Sequence, residues 1–156
     1  MPIFEIPGAR TIEISHILLD YNGTLAVDGQ PIAGVRKKIQ ALSSAFDFHV
    51  ITADTFGSVT QALDGVNCSV VTIPDWDQAR AKADYLETLG PSCTIACGNG
   101  VNDELMLKNA ALGVAVLHEE GLARQSLMAA DILIHHILDL FGYLEHPGRL
   151  IACLRK

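Results

Sequence analysis

Asp20 and the run Cys97-Gly98-Asn99-Gly100-Val101-Asn102-Asp103-Glu104 are the places where this chain can do chemistry. The second follows an apolar run, Thr94-Ile95-Ala96, and leads into another, so it reads as a strand ending in a loop that opens a helix. Two glycines and two asparagines bend the chain there and leave a short acidic loop facing solvent. At the carboxyl edge of a parallel sheet, where ligands bind, such a loop suggests a divalent metal or a catalytic carboxylate. Asp20 closes a similar unit far upstream, Ile17-Leu18-Leu19-Asp20-Tyr21-Asn22-Gly23-Thr24. A carboxylate at that position can attack phosphorus to form an acyl phosphate, or it can hold a metal. Gly23 permits the sharp turn, and the Thr24 hydroxyl can tie the loop down.

Two further positions, Thr52 and Lys82, could join them. Thr52 ends the run His49-Val50-Ile51-Thr52 and precedes Ala53. A hydroxyl with free backbone N–H groups at a strand end can hold a phosphate oxygen. Lys82, in Arg80-Ala81-Lys82-Ala83-Asp84, can neutralise phosphate charge if it points into the same pocket. Asp103, with Asn99 and Asn102, can complete an oxygen-rich magnesium site with Asp20, since magnesium takes one or two carboxylates plus waters and substrate phosphate. Each residue also has a plainer reading: Asp20 as a turn cap, Thr52 as an ordinary cap, Lys82 as a solvated surface charge, Asp103 as a helix N-cap favoured by the dipole. Asp54 or Thr55 reads as a helix N-cap. The pair His135-His136 points to opposite sides and cannot readily share a metal, so it reads as structural. Trp76 reads as packing or part of an interface.

The elements that must position these residues alternate. Apolar runs near 16–20, 48–52, 68–73, 93–97, 112–116 and 131–135 read as strands. Helical patterns fall near 33–46, 57–64, 77–89, 102–110, 121–129, 136–145 and 147–155. This order implies βαβ units, with a parallel sheet covered on both faces. Residues 1–15 read as a hairpin packed on an edge. Leu25–Ile32 carries Asp28-Gly29, a strong hairpin-turn signal, and reads as a flap directly after Asp20. Pro31 is expected to open the next helix.

With 156 residues, no repeat and no linker, the chain reads as one domain over 1–156. Hydrophobic residues make up 49%, which argues against disorder, and the net charge of −7 argues against a nucleic-acid or anionic-membrane partner. No apolar run approaches a membrane span, and Met1-Pro2-Ile3-Phe4-Glu5 lacks the form of a secretory signal. Cys68, Cys93, Cys97 and Cys153 form no C-x-x-C pair and read as reduced thiols, consistent with the cytoplasm.

Taken together, Asp20-Tyr21-Asn22-Gly23-Thr24-Leu25, Thr52, Lys82 and Gly98-Asn99-Gly100-Val101-Asn102-Asp103 resemble, in order, the motifs of the haloacid-dehalogenase-like (HAD) phosphotransferase superfamily. The likeness is greatest to the phosphorylation domain of P-type ATPases, with its D-K-T-G-T-L and G-D-G-x-N-D signatures. It continues through Ala111–Val116, Ala129–Leu133 and the tail Gly148–Lys156. The ATPases' membrane helices and their nucleotide-binding insertion have no counterpart here.

The resemblance implies a three-layer αβα Rossmann-like domain with strand order 3-2-1-4-5 and no cap. It implies Asp20 as nucleophile and magnesium ligand. Asn22, Gly23, Thr52, Ala53 and Lys82 would surround the phosphoryl group. The Asn22 carbonyl and Asn99 would serve as further metal ligands, with Asp103 in support. Two residues depart from the pattern. Asn22 stands where phosphatases of this kind have an acid–base Asp, and general acid–base help is worth about 10²–10⁴ in rate. Asn99 stands where a metal carboxylate is usual, removing one negative charge. The expectation is a slow, magnesium-dependent phosphohydrolase or phosphotransferase working through phospho-Asp20 on a phosphorylated substrate. The alternatives are a catalytically impaired phosphate- or partner-binding regulator of the same fold, or a partner of a transport ATPase. A capless site is open, and a large substrate or a homo-oligomer would complete it.

Overall fold

The computed structural model describes all of residues 1–156. Six parallel strands form the central sheet: β3 (His16–Asp20), β6 (Asp47–Thr52), β7 (Ser69–Thr72), β8 (Thr94–Gly98), β9 (Leu112–Val116) and β10 (Ile132–Ile134). Their spatial order is β10-β9-β8-β3-β6-β7, all neighbours parallel. That is the expected 3-2-1-4-5 order extended by a sixth strand. Central strands read as unbroken apolar runs because both faces are covered. In β3, Ile17, Leu18 and Leu19 have no exposed surface.

Alternate residues serve different layers. Ile17, Leu19, Val50 and Ile95 join the larger cluster of 29 buried residues. It packs beneath α1 (Val35–Leu42), α2 (Ser58–Ala62), α6 (Ile137–Glu145) and α7 (Pro147–Leu154). Leu18, Ile51 and Ala96 face the other way, toward Leu86, Met106 and Leu107 of α3 (Gln78–Leu89) and α4 (Glu104–Asn109), with α5 (Arg124–Ala129) alongside α4. Asp20 has the parity of Leu18, so it emerges on the α3–α4 side.

The hairpin β1 (Ile3–Glu5) and β2 (Thr11–Glu13) pairs antiparallel and sends Phe4 and Ile12 into the larger cluster. The flap is a second hairpin, β4 (Ala26–Val27) and β5 (Gln30–Pro31), turning at Asp28 and Gly29, both with positive φ. Here the sequence expectation needs correction. Pro31 lies in β5 opposite Ala26, where a short two-stranded edge tolerates a missing N–H, and the helix begins only at Val35 after Gly34. The helix expected over 121–129 starts at Arg124, because the Ala123 N–H bonds to the Asn99 carbonyl at 2.8 Å and Gly121 takes a left-handed φ of 86°. Trp76 is 71% exposed and packs in no core. No helix is long and apolar enough to cross a membrane, and all four cysteines are free.

Candidate active site

β3 delivers Asp20 to the carboxyl edge of the sheet, between β6 and β8. The next turn is tight: the N–H groups of Thr24, Leu25 and Ala26 all converge on the Tyr21 carbonyl at 2.9–3.2 Å. Gly23 sits in it with φ 78°, and a Cβ there would meet the Asn99 amide nitrogen at 2.3 Å. Only glycine satisfies both the backbone angle and that close approach. The loop after Asp20 and the acidic loop therefore touch through Gly23 and Asn99.

α3 lies across the smaller core cluster and places Lys82 under the same edge. Its side chain is 1% exposed. The ammonium donates to Asp20 Oδ1 at 2.7 Å and to Asp103 Oδ1 at 2.6 Å. The plain reading of Lys82 as a surface charge fails, because helix register aims it at the strand ends. Asp103 has no exposed surface, and its Oδ2 accepts the N–H groups of Asn99 and Gly100, both at 2.9 Å. Asp103 thus folds the acidic loop back on itself and also serves as counterion to Lys82. Thr52 ends β6, and its hydroxyl accepts the Asp54 N–H at 3.1 Å. Asp54 in turn accepts from Phe56 N, Ser58 Oγ and Val59 N, which fixes the turn into α2. His136, set aside as structural, caps α6 by accepting the Leu138 N–H.

These groups line one open cleft of about 460 Å³. Asp20, Asn22, Thr52, Ala53, Lys82 and Asn99 all reach it, while Gly23 and Asp103 stand just behind its wall. Ala53 is the one apolar residue of the lining. The cleft also contains Asn102, read from the sequence as part of an oxygen-rich metal site, and Gln78 and Gly100, which sequence reasoning did not assign to the phosphoryl group or the metal. Gln78 accepts from Asn102 Nδ2 at 2.6 Å. Its signal was available: it lies four residues before Lys82, on the same helix face.

The electrostatics follow from burial. Desolvation, then the Asp103 carboxylate, raise the Asp20 pKa to about 7 against the pull of Lys82. Burial alone would lower the Lys82 pKa, but Asp20 and Asp103 outweigh it and hold the ammonium above its usual range. Two carboxylates face one ammonium, so the pocket has a surplus of negative charge. Asp20 Oδ2 has one long contact, from Thr24 Oγ1 at 3.3 Å, and retains lone pairs. Asn99 Oδ1 is likewise engaged only by Thr24, at 3.4 Å. Hard oxygen donors with a net negative charge fit a magnesium ion. The Cys97 thiol beneath is held well above its ordinary pKa by burial, then by Asp103 and Asp20, and is inert.

Solved structures share this arrangement of sheet and helices. The magnesium-, phosphate- and sugar-bound 3-deoxy-D-manno-octulosonate 8-phosphate phosphatase of Moraxella catarrhalis superposes with TM-score 0.65 at 19% identity, over 91% of this chain and 87% of that one. The cobalt-bound deoxy-D-mannose-octulosonate 8-phosphate phosphatase of Haemophilus influenzae gives TM-score 0.71 at 13% identity, over 87% of this chain and 90% of that one. The fold is that of the HAD superfamily. Between β3 and α1 the chain carries only the β4–β5 flap. In sequence, an uncharacterized protein of Methanocaldococcus jannaschii is 44% identical over 61 residues, 39% of this chain and 66% of that protein, just under two thirds of its length. No family model matches the chain.

Proposed function

We propose that this HAD-fold chain is a phosphohydrolase of the HAD superfamily, magnesium-dependent and slow, acting through phospho-Asp20. One observation carries the reading: a buried lysine bridges Asp20 and Asp103 beneath an open, polar cleft. A carboxylate, a fixed cation and a hydroxyl at adjoining strand ends are what in-line phosphoryl transfer requires. Asp20 Oδ2, the Asn22 carbonyl and Asn99 Oδ1 would hold the magnesium, with Asp103 supporting from behind. The ion supplies charge neutralisation of the phosphoryl oxygens when bound.

The chain's own groups do the rest. A carboxylate oxygen of Asp20 attacks phosphorus as the bond to the leaving alcohol oxygen breaks. Lys82 and Thr52, with the backbone at Gly23 and Ala53, hold the transferring oxygens. The leaving alkoxide takes its proton from solvent, because the Asn22 carboxamide has none to give. Water then attacks the same phosphorus, the bond to Asp20 breaks, and phosphate leaves with the carboxylate restored. Without a carboxylate at position 22 both steps lose general acid–base help.

The polar lining suits a small, hydroxyl-rich phosphate monoester in the cytoplasm. The exposed Phe56 and Trp76 lie on the loops after β6 and β7, where a larger substrate or a second copy of the chain would cover the mouth. The decisive experiment is release of inorganic phosphate from a panel of phosphate esters with magnesium. Wild type should release phosphate, and Asp20→Asn should release none and fail to trap beryllofluoride. Equal release by both would remove Asp20 from the mechanism. A second reading, phosphate or partner binding without turnover, is favoured by Asn22 alone and predicts beryllofluoride trapping with no release from any ester.

A further inference from the structure

Asn99 uses both ends of its carboxamide. The oxygen faces Thr24 and the nucleophile loop. The nitrogen donates to the Gly121 carbonyl at 3.1 Å, in the strap between β9 and α5. A carbonyl acceptor requires a donor, so this contact decides which way the amide points. The strap's two ends are held elsewhere: Leu117 N bonds to Ile134 O at 3.1 Å, and Ser126 Oγ bonds to Gly100 O. Its middle, with Glu119 and Glu120 exposed, is tied by its own turn, by His118 Nε2 accepting the Ile137 N–H at 3.1 Å, by the Ala123 N–H to the Asn99 carbonyl at 2.8 Å, and by the Asn99 side-chain nitrogen, the one tie from outside the strap that reaches Gly121. Glu120 Oε2 then accepts the Asp28 N–H at 3.3 Å at the tip of the flap. Tyr21 OH, donating to Gly29 O at 3.0 Å, is the other tie at that tip.

We propose that Asn99 is a positioning residue that anchors the strap 118–123, and through Glu120 the flap 26–31, against the mouth of the cleft. An aspartate at position 99 would add charge for a metal but lose the donor. It would also set a carboxylate oxygen against the Gly121 carbonyl. The amide is the one side chain of this size that serves both neighbours. The catalytic consequence rests on the phosphohydrolase reading, but the anchoring itself does not.

The first test therefore needs no turnover: amide hydrogen exchange of the full chain, without metal or substrate. Asn99→Asp and Asn99→Ala should speed exchange in 117–123 and 26–31 about fivefold or more, the size set by one lost hydrogen bond. Peptides from β6 should be unchanged. Glu120→Ala, remote from Gly23 and the metal donors, should speed 26–31 alone. Wild-type exchange of the strap in Asn99→Asp, or of the flap in Glu120→Ala, overturns the proposal. The second test uses p-nitrophenyl phosphate at saturating magnesium. Glu120→Ala should raise KM about threefold, as for a loosened rim contact, with kcat nearly unchanged. A parallel fall in kcat with constant KM would mark general loss of folded protein and overturn the positioning role. Absence of turnover in wild type would sink the phosphohydrolase reading and leave the exchange result to decide the strap.

Discussion

At the scale of single residues, two substitutions probe opposite halves of the site. Asn22 is exposed at the cleft. If decay of phospho-Asp20 limits turnover, Asn22→Asp supplies the missing proton-transfer group and should raise the rate at saturating magnesium by ~10-fold or more. Steady-state phosphate release measures it, and a flat or lower rate means the loop is tuned for a persistent phosphoenzyme or for binding. Lys82 is a matter of stability as well as chemistry. It is the lone cation between two buried carboxylates. Lys82→Met leaves both unpaired, and breaking a buried pair costs about 3–5 kcal/mol. Urea unfolding at neutral pH should show a lowered midpoint with an unchanged slope. A loss below about 1 kcal/mol, the scale of exposed pairs, would mean that water reaches Lys82.

At the scale of elements, α4 docks on β9 by close approach of backbone to backbone. A Cβ at Gly113 would meet the Leu107 carbonyl oxygen at 2.2 Å. Backbone cannot swing aside as a side chain can, so Gly113→Ala must push α4 off the sheet. Overpacking of this kind costs about 1–3 kcal/mol. Because α4 follows directly on the acidic loop, the displacement should also carry Asp103 away from Lys82. Thermal unfolding and phosphate release should fall together in this variant. An unchanged melting temperature would show that α4 has slack the packing does not reveal.

At the scale of the whole molecule, pH acts through buried histidines outside the cleft lining and through Asp20 within it. Burial, then the neighbouring His16, lower the His49 pKa, and burial, then His136, lower that of His118. Below the ordinary histidine range the unfolded chain takes up protons that the native state refuses. Native stability therefore falls as pH drops from about 7.5 through about 6.5 and levels off below the folded values. Asp20 works in the opposite sense. Its raised pKa lets the native state bind a proton that the unfolded chain releases, which adds stability as pH falls through about 7. The histidine part is read as a difference. Melting temperatures between pH 7.5 and 5.5 should fall more steeply in wild type than in His49→Gln. Parallel curves for the two proteins would remove His49 from the pH response.

The sequence by itself determined the elements whose signal is local. A strand covered on both faces must be an unbroken apolar run, so β3, β6, β8 and β9 were legible, as was the flap turn at Asp28-Gly29. The candidate chemistry at Asp20, Thr52 and Asp103 was legible too, because each ends such a run or opens the loop after it. Tertiary structure decided what depends on register across elements. A lysine in a helix carries no mark of burial, and only the packing of α3 over β3 put Lys82 between two carboxylates. Gln78 entered the cleft for the same reason. Pro31 looked like a helix start until the flap paired it with Ala26. The second contact of Asn99 joins positions 99 and 121, and no local pattern encodes it. Secondary structure follows from which faces are buried, a property of neighbouring residues in the chain. A site depends on which side chains meet, and that is set by distant segments packing together.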